Sequence, residues 1–567
     1  MRKPEILSSD LNTTLGYFFA ILCVITYAGS FFFPLMDKDA AHHANIALHM
    51  VEHKDYINLI DRGQDYLDKP HFLFWISALS FQIFGVNTFA DRFPAFLFTL
   101  LSLFSTYKLC RHLSDKTTAR LSALILATAQ AFIFSLNDAR MEAPLTAWII
   151  TAIWQLALYI DKRHFISLAL SALATALAFS TKGWIGPAII FVSALFYVMQ
   201  QRSWSVLFSV KTWLFIPVFV LFISPVLYAY YQQFDLHPDK IIRGQSHRSG
   251  IRFILWDQLF ERSEGFDQGN RGRNSDYFFL YHTFLWAFFP WSIMAYTALI
   301  FWIRKFFVDR INRQPFQFAA LSFLFVLFLI SFSKFKMPHY IVMLFPLAAI
   351  FTGDYVRHIV AAQKALNIFY PMHLVFALII LVATIALNYY FFWPPNFFVL
   401  IFGSLLMIVF VILLIRRWPE RARQLIYITA GMSLLFNFFL NYDFFPNLMK
   451  YQAGNELAMD MKTRALNIND NDILLIEQQA HSFDFYRGHN HQLLDAESFS
   501  THFPGVKDKY FLLTNSQRSI IEQQGFKIEP VISHVDYNVA IVKYNFLNPA
   551  TRNQVLDTLM LAKIYPR

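Results

Sequence analysis

Long apolar runs separated by short polar turns fill the chain as far as residue 441. Thirteen can be marked, near residues 15–35, 89–109, 119–136, 143–160, 165–181, 184–199, 212–231, 277–303, 315–333, 339–355, 371–392, 397–415 and 424–441. Each comes close to the roughly 17–25 residues a helix needs to cross a bilayer. Three stretches depart from this rhythm. In residues 36–88, Ala44, Ala47, Leu48 and Val51 recur at helical spacing. They are followed by Phe72 to Phe84, which is apolar but short for crossing and reads as an interfacial helix. Residues 232–276 form a polar loop rich in Arg, Gly and Asp. Beyond residue 442, Asp472–Glu477, Tyr510–Thr514 and Val539–Tyr544 predict strands, and 451–466 and 515–524 predict helices.

These patterns predict a polytopic α-helical membrane protein with about 13 transmembrane helices and outer-face interfacial helices. Residues 1–441 would form the membrane domain and 442–567 a small C-terminal α/β extracytoplasmic domain. Composition agrees: 56% of the 567 residues are hydrophobic, 65 are Phe and only 15% are charged. No internal repeat is evident. The first span lacks a small-residue cleavage pattern before Asp37 and reads as a retained anchor. The two cysteines, Cys23 and Cys110, form neither a disulfide framework nor a metal motif.

Charge then orients the chain. Arg2, Lys3, Lys108, Arg111, Lys116, Lys162, Arg163, Arg202 and Lys211 fall on one side of the spans. So do Arg304, Lys305, Arg310, Arg313, Arg357, Lys364, Arg416, Arg417, Arg421 and Arg423. That side is cytoplasmic by the positive-inside rule, and the C-terminal domain is then outside. The net charge of +10 faces anionic membrane lipids and calls for no nucleic acid. Trp256, Trp286, Trp291 and Trp393 read as interface-belt residues.

The short outer turns keep a few ionisable groups, which are costly at membrane boundaries unless they face a cavity or water. Asp39 follows the first span; its carboxylate suits a general base or an ordinary helix cap. His42 and His43 beside it could ligate a metal, contact substrate or serve as structural polar contacts. Asp68 and Lys69 precede Pro70, with Lys69 suited to a phosphate or to lipid headgroups. Asp138, Arg140 and Glu142 crowd one turn, as an ion-pair knot or a substrate-positioning group. Lys182 ends the fifth span, and Lys334, Lys336, His339 and Tyr340 surround Pro338. The spacing would let Lys336 and His339 face one site. A divalent cation could sit beside Asp39 and Asp68, but no complete ligand set can be read, and no cofactor is assigned. Neither a Walker loop nor a glycine-rich nucleotide fingerprint nor a zinc-protease helix is present, so energy must come from an activated substrate or a gradient.

From about residue 10 to 355 the sequence resembles the GT-C class of membrane glycosyltransferases. Within that class it is most similar to the lipid A aminoarabinose transferases and the protein mannosyltransferase superfamily around them. The resemblance rests on Asp39 and its spacing to Met50, Tyr66-Leu67-Asp68-Lys69-Pro70, Trp75, Phe84-Gly85 and Arg92 before a proline. Thr181-Lys182-Gly183, Pro290-Trp291 and Lys336-Met337-Pro338-His339-Tyr340 extend it. Three positions depart: Ala40 replaces the second acid of an acidic pair, His42 and His43 stand where Arg and Tyr are expected, and Glu142 stands for an Asp.

The resemblance implies sugar transfer from polyprenyl phosphate, such as undecaprenyl phosphate, to a lipid A-like or other glycolipid at the periplasmic face of a bacterial inner membrane. Asp39 would be the catalytic residue. Lys69, Arg140, Lys182, Lys336 and His339 would bind the donor phosphate. Asp68, Asp138, Glu142, His42, His43 and Tyr340 would position substrate. The alternatives are a protein O-glycosyltransferase, or a lipid or sugar transporter, for which inverted repeats and midplane charges are expected.

Overall fold

The computed structural model describes residues 14–138, 140–242, 246–264, 276–308, 314, 316–392, 394–416, 418, 420–477 and 480–567. Arg2, Lys3, Arg310, Arg313, Trp393 and Arg417 lie outside them.

The protein is a multi-pass helical membrane protein, and each of the thirteen apolar stretches is helical over most of its length. Seven helices among the described residues are long and apolar enough to cross a membrane, or nine if two bent pairs each count as one span. Ile185–Gln201, Gln317–Ser331 and Val399–Ile415 are shorter apolar helices. The stretch 277–303 divides into Phe279–Ala287 and Ser292–Val308. The count of thirteen crossings is therefore not reached by length and apolarity alone.

One bent pair is Lys116–Ala127 with Gln130–Asn137, which turn by 55° at Thr128 and Ala129. A break inside a membrane must find partners for the backbone groups it frees. The Thr128 carbonyl accepts from Ser433 Oγ at 2.7 Å, and Gln130 N–H donates to the Phe289 carbonyl at 3.0 Å. Gln130 and Asn437 exchange side-chain amide bonds of 2.8 and 3.0 Å beside them. Trp291 belongs to this repair and not to the interface belt. Its indole is fully buried and donates to Thr128 Oγ1 at 2.8 Å, whereas Trp286 and Trp256 are exposed.

The other bent pair starts the chain. The first span ends at Phe32, Phe33 is extended, and the helix beginning at Asp37 leaves at 68°. Pro34 supplies no N–H to continue a helix, so the carbonyls of the last turn need other donors. Arg92, fully buried, provides them. Its guanidinium donates to the carbonyls of Ser30, Phe33 and Pro34 and lies 4.3 Å from the Phe33 ring centroid. Arg92→Met should therefore cost about 3 kcal/mol by orphaning these carbonyls. The check is the thermal midpoint and the monodisperse yield in detergent; an unchanged midpoint would refute it.

Beyond this bend, the helix His42–His53 and the hairpin of β1 (Ile60–Asp61) and β2 (Gln64–Asp65) lead to the helix Phe72–Phe84. That helix buries Leu73, Phe74 and Phe81 and exposes Leu79 and Ile83, as an interfacial helix does. The 232–276 stretch is not simply a polar loop: its described part contains the helical segments Gly250–Arg252, Phe253–Asp257 and Gln258–Glu264. Asp235 nucleates them by accepting from the amides of Gly250 and Ile251 at 3.0 and 3.1 Å. Gln233 ties the same stretch to the hairpin through Leu59 and Asp65.

The C-terminal part is an α/β unit. Strands β3 (Ile473–Ile476), β4 (Gln492–Leu494), β5 (Tyr510–Thr514), β6 (Phe526–Asp536) and β7 (Asp557–Pro566) form one mixed sheet in the order β4-β3-β5-β7-β6. β3 runs parallel to both neighbours, while β7 is antiparallel to β5 and β6. Val539–Tyr544 is not a strand. After β6 the chain turns out of the sheet, only Val539 of that segment is buried, and it packs with Phe546. β6 escapes a sequence reading because it is an edge strand with a register shift after Pro530, which cannot donate to a ladder.

Candidate active site

Residues Asp37–Ala41 form a widened helical turn with five-residue spacing before the helix His42–His53. Such turns recur at functional sites because the extra residue redirects a side chain. Asp39 sits on this one with 42% of its side chain exposed. It is the accessible acid of the cluster that follows.

Arg140 is the hub. Its Nη2 lies 2.8 Å from Asp39 Oδ2 and also pairs with the Asp138 carboxylate. Its Nη1 lies 3.0 Å from His339 Nδ1. A guanidinium can only donate, so His339 Nδ1 accepts and its proton sits on Nε2. That nitrogen faces Glu142 Oε1 at 3.6 Å. Glu142 in turn takes Lys182 Nζ at 2.5 Å, with both side chains about 5% exposed. Lys182 also lies 4.1 Å from the centre of the Tyr340 ring, within cation–π range. Glu142 opens the helix Glu142–Lys162 and Lys182 closes Phe165–Lys182, so each charge meets the helix end that favours it. Behind the hub, Asn137 donates to Asn441 Oδ1, and Asn441 donates to the Thr26 carbonyl of the first span, at 2.8 and 2.9 Å.

Electrostatics divides Asp39 from Asp138. Burial pushes the Asp39 carboxyl up, but the Arg140 guanidinium beside it outweighs burial and holds the group below its ordinary value. Burial wins at Asp138, whose carboxyl lies above the ordinary range although Arg140 opposes the rise. Burial, with His42 adding to it, drives the His43 imidazole down to about 3, so His43 is neutral at physiological pH. Asp39 is thus the ionised, reachable carboxylate of the group.

The remaining candidates occupy other surroundings. His42 Nε2 lies 2.8 Å from Asp61 Oδ2, and its ring sits 4.7 Å from His481 of the C-terminal unit. The Asp68 carbonyl accepts from Gln258 Nε2 at 2.8 Å, which ties the 68–70 turn to the outer helical segment. Lys69 lies near enough to His43 to oppose its protonation. Lys336 and His339 do not share one site. The Lys336 ammonium is buried and turns to the carbonyls of Asp276 and Ser331 at 2.8 and 2.9 Å, whereas His339 turns to Arg140. The proline between them starts a tight helical turn that sends them apart. Gly183 closes against Gln258 with φ +66°, and a Cβ there would lie 2.5 Å from Gln258 Oε1. Among the described residues no group of three or more His, Cys, Asp or Glu side chains could hold a metal ion.

Residues 68–229 match the dolichyl-phosphate-mannose-protein mannosyltransferase family model. That stretch carries Asp68, Lys69, Asp138, Arg140, Glu142 and Lys182, but neither Asp39 nor His339. The chain is 27% identical over 349 residues to an uncharacterized protein of Aquifex aeolicus, covering 61% of this chain and 64% of that one. It is 26% identical over 362 residues to the undecaprenyl phosphate-alpha-4-amino-4-deoxy-L-arabinose arabinosyl transferase of Edwardsiella ictaluri, covering 63% and 61%. The match thus spans about three-fifths of the length of these relatives. Among solved structures, ArnT from Cupriavidus metallidurans bound to undecaprenyl phosphate superposes with a TM-score of 0.73 at 16% identity, covering 97% of this chain and 98% of that one. At that identity the likeness is one of fold, and the GT-C-like architecture implied by the sequence resemblance is the observed one.

Proposed function

We propose that the protein is a glycosyltransferase that uses a sugar linked to polyprenyl phosphate, undecaprenyl phosphate in a bacterial inner membrane. The acceptor is a lipid A-like glycolipid at the periplasmic face. The observation that carries this reading is the ionised, half-exposed Asp39 held 2.8 Å from Arg140 on a widened turn at the outer end of the first span. The named transferase relatives and the ArnT fold support it.

In the reaction, the acceptor oxygen forms a bond to the anomeric carbon while the bond from that carbon to the phosphate oxygen breaks. Asp39 takes the acceptor proton, and the polyprenyl phosphate leaves with the electron pair. Arg140 offsets the growing phosphate charge, with Lys69 and Lys182 behind it, an electrostatic contribution made in a partly desolvated site. Three carboxylates (Asp39, Asp138 and Glu142) face two permanent cations (Arg140 and Lys182) in the cluster. Donor binding therefore loosens one of these pairs or brings in a cation from outside the cluster.

The test is mass spectrometry of envelope lipids from wild-type, deletion and Asp39→Asn strains. Loss of one sugar from lipid A with accumulation of its polyprenyl-phosphate form in both mutants is expected. Donor accumulation with unchanged lipid A would move the acceptor to a protein or another glycan. No change in either pool while the protein is expressed would leave transport as the better reading.

A further inference from the structure

The short link between the first span and the Asp39 turn lies among charged groups, and its backbone can satisfy few hydrogen bonds by itself. Arg92 covers the carbonyls up to Pro34. Beyond that point the partners come from the far end of the sequence. Leu35 N–H donates to Tyr486 Oη at 2.9 Å, and the Leu35 carbonyl accepts from Gln452 Nε2 at 2.8 Å. Asp37 N–H donates to Gln452 Oε1 at 3.0 Å, and the Asp37 carboxylate accepts from the Ser482 amide at 2.5 Å. Gln452 thus holds Leu35 and Asp37, on either side of Met36, through both ends of one amide.

The helix that supplies Ser482 and Tyr486, His481–Arg487, is itself anchored to the outer segment. Arg62 grips Asp484 at 2.6 and 2.9 Å with both side chains buried, and Asn45 donates to the His481 carbonyl at 2.8 Å. Tyr486 Oη also meets Thr88 Oγ1 at 2.7 Å, at the start of the helix that carries Arg92.

We propose that the C-terminal α/β domain is the scaffold of the Asp39 turn, with Gln452, Ser482 and Tyr486 acting as positioning residues for the acid. The inference rests on the role of Asp39 proposed above. A catalytic group must be held within about half an ångström of its productive place, and the groups that hold it matter nearly as much as the group itself. Two bonds from one glutamine and one from a tyrosine fix the two residues from which the turn departs. The angle at which Asp39 meets Arg140 follows from them.

The experiment uses the full-length protein in proteoliposomes with a polyprenyl-phosphate-linked sugar, comparing wild type with Gln452→Leu, Tyr486→Phe, Asp37→Ala and Asp37→Asn. The first three should lower kcat per folded molecule about tenfold or more, with the donor dissociation constant within twofold of wild type. Their acid limb should move to higher pH as the Asp39–Arg140 contact loosens. Asp37→Asn keeps an acceptor for the Ser482 amide and should recover most of the kcat lost in Asp37→Ala. A kcat per folded molecule within twofold of wild type in all variants overturns the inference. So does a kcat loss matched by weakened donor binding with an unmoved pH profile.

A second measurement needs no turnover. Asp39→Cys should react with a membrane-impermeant maleimide several-fold faster when combined with Gln452→Leu or Tyr486→Phe, and an unchanged rate overturns the scaffold. If wild type transfers no sugar, the reading of function fails, and the labelling rate still decides whether the domain orders the turn.

Discussion

Asp39→Asn should lower turnover by roughly 10²–10⁴-fold, the loss expected when a positioned general base is removed. It should do so without changing expression or the thermal midpoint, because Asp39 is half exposed and Asn preserves its shape. Donor binding should hold or tighten, since the substitution releases Arg140 from one of its two carboxylates. Arg140 also sets the pH behaviour. With Arg140 in place Asp39 titrates below its ordinary value, so the acid limb of the rate profile should lie below the ordinary carboxylate range and leave activity flat through neutrality. In Arg140→Gln the main cation is gone and burial then dominates, so the limb should move upward. A limb that stays in place in Arg140→Gln would mean that a different group titrates.

The second large effect is on stability. Glu142 and Lys182 form an ion pair that is nearly closed to water. Breaking such a pair from one side strands a charge, at about 3–5 kcal/mol. Glu142→Ala should therefore destabilise the protein by that amount, visible as a lower thermal midpoint in detergent, and Lys182→Ala should do the same. The double substitution Glu142→Met with Lys182→Met removes both charges and should recover most of the lost stability. If it also keeps donor binding, the pair is architecture; if it is stable but binds donor poorly, Lys182 reads the phosphate. Equal destabilisation by the single and double variants would show that the pair is not coupled.

The membrane architecture was legible because it is written in local pattern. Runs of apolar residues give the helices, and the ionisable groups at their outer ends mark the face where the cluster forms. Pairings were not legible in the same way. Nothing in the turn Asp138–Glu142 says that Arg140 reaches back to Asp39 while Glu142 reaches forward to Lys182; three helix ends must first be packed. Lys336 looked equivalent to Lys182 in sequence, yet its ammonium goes to backbone carbonyls. Trp291 looked like other aromatic residues near a span end, yet it fills the break at Thr128. The C-terminal domain hides most. Its edge strand β6 is half exposed and shifts register at Pro530, and Gln452, Ser482 and Tyr486 carry no motif that marks them as partners of Leu35 and Asp37.

The Leu35–Tyr486 bond joins residues 451 positions apart. At roughly 5–20 residues per second, on the order of a minute passes between synthesis of the two. During that interval the link at Leu35 and the Asp37 carboxylate are without the partners they have in the finished protein, Tyr486, Gln452 and Ser482. The way out of the first span is therefore among the last parts of the molecule to be completed, and its geometry waits on the end of translation.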